Sequence, residues 1–74
     1  MEQKLISVVA AALGVAPSTL ALDTAPGDVP AWDSLGQINV VSEIETEFGV
    51  SIPIEKLAEI HSIRDFLPYL GRNG

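Results

Sequence analysis

The sequence predicts an all-α fold, a small four-helix bundle of three main helices plus one short helix, with a long loop between helices one and two. Two helical stripes of apolar residues, each closed by a glycine, carry that prediction, together with the lack of any strand-like alternation. A segment rich in proline and glycine separates the stripes and supplies the loop. Seventy-four residues have material for one small core, since a chain this short buries only about 60% of the surface it exposes when unfolded. Residues 1–74 are therefore expected to form a single domain.

Helix one is expected over residues 2–13, where Leu5, Val8, Val9, Ala12 and Leu13 follow the i, i+3, i+4, i+7, i+8 rule. Gly14 is placed to end it in a left-handed cap. Ile6, Ala10 and Ala11 fall on the opposite face, which reads as helix propensity with scattered exposed apolar atoms. Residues 15–31 contain Pro17, Pro26, Gly27 and Pro30, so no regular periodicity runs through them. A connection of that length packs on the core through a few anchors or carries function, and Leu20, Leu22, Val29 and Trp32 are the expected anchors.

Helix two is expected over residues 34–48, with Gln37, Val40, Val41, Ile44 and Phe48 on one stripe and Leu35 and Ile38 on a second. Gly49 ends it. Pro53 can open a short third helix through Leu57, because a first-turn N–H would have been unpaired there in any case. Ser62 followed by Asp65 reads as the capped start of a fourth helix holding Ile63, Phe66 and Leu67, which Pro68 should kink or stop.

Composition excludes several classes of function. Ten acidic against four basic residues give a net charge of −6, so nucleic acid and anionic membrane surfaces are repelled. No apolar run approaches the ~20 residues of a membrane span, and the start of the chain leads into a helix rather than a cleavable leader. Cysteine is absent, which removes disulfides, thiol nucleophiles and thiolate ligation and fits a cytoplasmic, reducing compartment. At 47% hydrophobic and 19% charged, the chain is too apolar for disorder, and some apolar surface must stay exposed.

Catalytic constellations are missing as well. His61 is the one histidine, at a junction where a solvated or backbone-bonded imidazole is expected, so no triad and no H-E-x-x-H exists. No calcium loop and no glycine-rich phosphate cradle occurs, and no metal site is expected. What remains is Pro30-Ala31-Trp32-Asp33-Ser34-Leu35. Ser34 with Gln37 satisfies an S-x-x-Q capping box, so helix grammar makes Ser34 a cap. The same helix terminus, with unpaired N–H groups and a positive dipole end, would also stabilise a phosphate ester on Ser34, with Asp33 taking over as cap.

Asp33-Ser34-Leu35-Gly36-Gln37-Ile38-Asn39-Val40-Val41, followed by Glu43-Ile44-Glu45-Thr46-Glu47-Phe48-Gly49-Val50-Ser51-Ile52-Pro53, closely resembles the acyl carrier protein family. Leu13-Gly14-Val15 and Ser62-Ile63-Arg64-Asp65-Phe66 extend the resemblance over essentially the whole chain, and the Trp32-Asp33-Ser34-Leu35 form is similar to stand-alone carriers of specialised pathways. The resemblance implies a non-catalytic carrier. Ser34 would bear a 4′-phosphopantetheine arm, added from coenzyme A by a separate phosphopantetheinyl transferase, whose thiol holds an acyl cargo as a thioester. Fatty, polyketide or other specialised acyl groups are the implied cargo, with an aminoacyl or peptidyl carrier loaded by an adenylating enzyme as the alternative. A helical interaction module with an unmodified Ser34 is the alternative from another class.

The resemblance also implies partner docking through helix two. Carried over by position, that surface is Asp33, Leu35, Ile38, Glu43, Glu45 and Glu47, facing acyl-loading and acyl-processing enzymes, with the chain acting as a monomer. At each glutamate, solubility and recognition remain open readings. Leu35 differs, since an apolar first-turn residue off the core stripe lacks a packing role. Gly36 and Asn39 stand where many fatty-acid carriers have acids, so this face is less negative than the family's usual one.

Overall fold

Good helix formers and a terminating glycine place α1 at Glu2–Leu13 in the computed structural model, which describes residues 2–70. Gly14 adopts φ +71° and closes α1 in a Schellman pattern, with Val15 N–H on Ala10 O at 3.0 Å and Gly14 N–H on Ala11 O at 3.3 Å. The helix α2 follows at Ser34–Phe48 and ends at Gly49, φ +66°, whose N–H reaches Glu45 O at 2.9 Å. A short 3₁₀ helix, Ile54–Glu59, comes next, and a 3₁₀ segment, Ile63–Phe66, runs straight into α3 at Leu67–Leu70. Four helical bodies and no strand among the described residues make this the expected all-α bundle.

The core is built where the stripes meet. Leu5 and Val9 of α1, Val40 and Ile44 of α2, and Ile63 and Phe66 of the last helical body are all shielded from solvent. Ala10 is buried too and Ala12 only half-buried, against the face assigned to each by periodicity. The reason is that α1 packs on α2, on the turn Pro17–Thr19 and on Ile63–Phe66, so its buried arc is wider than one stripe.

All four expected loop anchors join this core, Leu20 and Trp32 fully and Leu22 and Val29 in part. The loop is also ordered by its own polar groups. Pro17–Thr19 and Pro26–Asp28 form 3₁₀ turns, Ala21 N–H donates to Thr24 Oγ1 at 2.8 Å, and Ala25 N–H donates to Asp28 Oδ2 at 3.0 Å. The far helical body clamps it: Ile63 and Arg64 N–H donate to Thr24 O and Leu22 O, each at 3.0 Å, and the Arg64 guanidinium pairs with Asp23 at 2.6 Å.

Two helix starts differ from the sequence expectation. Pro53 lies outside the short helix as its N-terminal flank, and six residues make 3₁₀ turns rather than an α-helix. The fourth helical body begins as 3₁₀ turns over Ile63–Phe66 and takes α geometry only at Leu67–Leu70, so the change of helix type falls at the residue before Pro68. Upstream, Asp65 Oδ2 accepts from Ser62 N–H at 3.2 Å and His61 N–H at 2.8 Å, the reach-back half of the expected capping arrangement. Met1 and residues 71–74, the two ends of the 1–74 domain reading, lie outside the described residues.

Candidate functional site

The start of α2 is held from both sides of Ser34. Before it, Trp32 is buried against the core, and its indole Nε1 donates to Gln37 Oε1 at 2.6 Å. Asp33, in extended conformation, is the N-cap: its Oδ1 accepts from Gly36 N–H at 2.8 Å and its carbonyl from Gln37 N–H at 2.8 Å. Ser34 is thus the first helical residue and not the cap, and Gln37 does not close a capping box because its side chain is committed to Trp32. The competition is decided by reach, since a carboxylate one residue earlier satisfies the same unpaired N–H groups.

Ser34 is exposed, and its Oγ makes no hydrogen bond to any described residue. A free hydroxyl at the positive end of a fifteen-residue helix suits an esterified phosphate, whose oxygens would meet the N–H groups of the first turn. Gly36 makes the arrangement rigid. It is buried, the Ala31 carbonyl oxygen fills the space a Cβ would need, and Leu13 Cδ2 lies 3.1 Å from that position.

Around Ser34 the surface is apolar. Leu35 is 72% and Ile38 60% exposed within a turn of it, and Ile54, 81% exposed on a neighbouring groove, is a further large apolar residue that sequence reasoning missed. Its signal was faint, one isoleucine after a proline in a short segment. A cleft of about 540 Å³ runs beside Ser34 between Trp32, Gln37, Ile38, Leu57 and Ile60. Ile38 and Leu57 also wall a second groove of about 270 Å³, which continues to Ile52, Ile54, Ser42 and Glu45.

The remaining docking candidates separate. Glu43 and Glu47 stand on the α1 side, lining a groove with Lys4, Ser7 and Ala11. Glu45, two residues from each, is half-buried on the opposite side, where its Oε2 accepts from Ile52 N–H at 2.8 Å. Asp33, Leu35 and Ile38 therefore gather near Ser34, and the three glutamates flank α2 rather than forming one patch. His61 is exposed, with its backbone N–H on Asp65. Among the described residues there is no cluster of histidine, cysteine or carboxylate side chains able to hold a metal ion, and no helix long and apolar enough to cross a membrane.

Comparison with known proteins agrees with this geometry. Residues 3–70 match the family described as the phosphopantetheine attachment site. The chain is 37% identical over 70 residues to an acyl carrier protein of Phaeodactylum tricornutum, covering 95% of this chain and 92% of that one. It is 33% identical over 70 residues to an acyl carrier protein of Rickettsia bellii, covering 95% and 81%. An acyl carrier protein of Syntrophobacter fumaroxidans is 30% identical over 73 residues, covering 99% and 90%. With an exposed, unbonded serine hydroxyl at the head of α2 and a match that spans the helical core, the chain belongs to the acyl carrier protein family, whose members bear a covalently attached 4′-phosphopantetheine.

Proposed function

We propose that Ser34 is the attachment point of the 4′-phosphopantetheine arm and that residues 1–74 work as one non-catalytic carrier domain. The observation that carries this reading is the division of labour at the head of α2: Asp33 caps the helix, so the Ser34 hydroxyl is exposed and free. When bound, the arm supplies the thiol that this cysteine-free chain lacks. Loading by a phosphopantetheinyl transferase makes a phosphoester at Ser34 Oγ and breaks the pyrophosphate link of coenzyme A. The Trp32–Gln37 bond and the Asp33 cap keep the hydroxyl facing outward during that encounter.

Partner enzymes that load or process the acyl group dock around Ser34. Leu35 and Ile38 supply the apolar contact and Asp33 a charge beside the serine, while Glu43 and Glu47 on one flank and Glu45 on the other steer basic partners. A tethered cargo then reaches successive enzymes at high effective concentration with no chemistry from this chain.

Intact-mass measurement after incubation with coenzyme A and a broad-specificity phosphopantetheinyl transferase tests the attachment. Wild type gains one arm and Ser34→Ala gains none. An unmodified wild type, or an equal gain in Ser34→Ala, overturns the assignment.

A further inference from the structure

The side chains around Ser34 leave one oriented donor unused. Of the residues lining the cleft beside the serine, Trp32, Ser34 and Gln37 carry side-chain hydrogen-bond donors, and none of the lining residues is basic. The indole N–H of Trp32 is spent on Gln37 Oε1 at 2.6 Å. The Ser34 proton is given up when Oγ is esterified. That leaves the NH₂ group of Gln37, which has no partner among the described residues.

Trp32 also decides which way the Gln37 amide points. An indole N–H donates and cannot accept, so the atom it meets must be the amide oxygen, and the NH₂ group is turned away from the indole. Trp32 is buried in the core and Gln37 is half-buried, so packing as well as the hydrogen bond holds this orientation. Gln37 stands three residues after Ser34 in α2. Side chains so spaced are neighbours on a helix surface, with about 5–6 Å between their Cβ atoms.

The group that would occupy this spot is a phosphodiester, anionic and able only to accept hydrogen bonds. It would stand beside the Asp33 carboxylate in a chain of net charge −6, where like charges repel. A fixed neutral donor offsets part of that repulsion, and a hydrogen bond to a charged acceptor is stronger than one between neutral groups. From these features we infer that Gln37 is a positioning residue for the arm: its NH₂ group, aimed by Trp32, donates to the phosphate that joins the arm to Ser34. The arm's first link is thereby held on the cleft side of α2. The inference rests on the carrier reading of Ser34 and goes beyond it in giving Trp32 and Gln37 a role after loading.

NMR of ¹⁵N-labelled protein, before and after a phosphopantetheinyl transferase loads the arm from coenzyme A, reads the side-chain amides directly. One Gln37 NH₂ proton should move downfield on loading, while the Gln3 amide on α1 stays in place and the Trp32 indole signal is kept. Gln37→Glu is the companion variant, with intact mass confirming that it is loaded. Its carboxylate still accepts from the indole, so the first turn of α2 is preserved, but it offers the phosphate no donor. The ³¹P line of the loaded variant should shift and narrow relative to loaded wild type, because the phosphate regains its freedom.

If the Gln37 protons move no further than those of Gln3, the inference fails. It fails equally if loaded wild type and loaded Gln37→Glu share one ³¹P shift and line width. Should Gln37→Glu misfold, the amide signals of the wild type alone decide. A wild type that gains no arm would instead overturn attachment at Ser34, so the two claims fall separately.

Discussion

The carbonyl oxygen of Ala31 occupies the space where the first side-chain carbon of any other residue at Gly36 would sit. This contact presses the end of the long loop onto the first turn of α2, two residues from the proposed attachment serine. A side chain at position 36 must push the loop away, and Asp33 and Ser34 lie on the segment that would move.

Gly36→Ala should accordingly destabilise the fold by about 1–3 kcal/mol, the cost of overpacking a tight site. Gly27→Ala is the matched control, since nothing lies within 4 Å of its added carbon and its φ is not positive. Urea denaturation of both variants checks the prediction, and equal midpoints would show that the loop yields freely.

Capping and modification should come apart at adjacent residues. Asp33→Ala removes the acceptor for Gly36 N–H and should cost about 1 kcal/mol. Ser34→Ala removes a hydroxyl that bonds no described residue, and its stability should stay within about 0.5 kcal/mol of wild type. Thermal melts of the two unmodified variants decide the matter, and a Ser34→Ala loss as large as that of Asp33→Ala would restore Ser34 as the cap.

This pair shows how far the sequence could be read. Apolar periodicity and two glycines located α1 and α2 to the residue, because burial stripes and left-handed caps are local signals. The head of α2 was harder, since S-x-x-Q and an aspartate one residue earlier compete for the same N–H groups and only the fold shows Gln37 drawn away to Trp32. Glu45 and Gly36 were misjudged or missed because their partners, Ile52 N–H and the Ala31 carbonyl, lie beyond a helix end, where the chain path and not the periodicity decides what they meet; Ala10 was misjudged because α1 packs on more than one element.

Core truncations should rank by burial rather than by side-chain size. Ile44 is completely buried, so Ile44→Ala should cost about 2–5 kcal/mol. Phe48, placed on the same stripe, is only half-buried, with the Lys4 ammonium 5.0 Å from its ring centre. Phe48→Ala should therefore fall below the ~3 kcal/mol usual for a buried phenylalanine. Chemical denaturation provides the comparison, and a larger loss at Phe48 than at Ile44 would contradict the packing described.

Charge reversal on α2 should separate structural from recognition acids. Glu45→Lys deletes the acceptor of Ile52 N–H and should cost about 1–3 kcal/mol, the penalty for leaving a shielded donor unpaired. Glu47 is exposed and makes no hydrogen bond or ion pair with the described residues, so Glu47→Lys should remain within about 0.5 kcal/mol of wild type. Any slowing of acyl transfer to a basic partner enzyme by Glu47→Lys then reports docking alone, and it should be accompanied by a flatter dependence of rate on salt. Measured across a salt series, an unchanged transfer rate in the stable Glu47→Lys variant would remove Glu47 from the docking surface, leaving recognition to Asp33, Leu35 and Ile38 beside the serine and to Glu43 and Glu45.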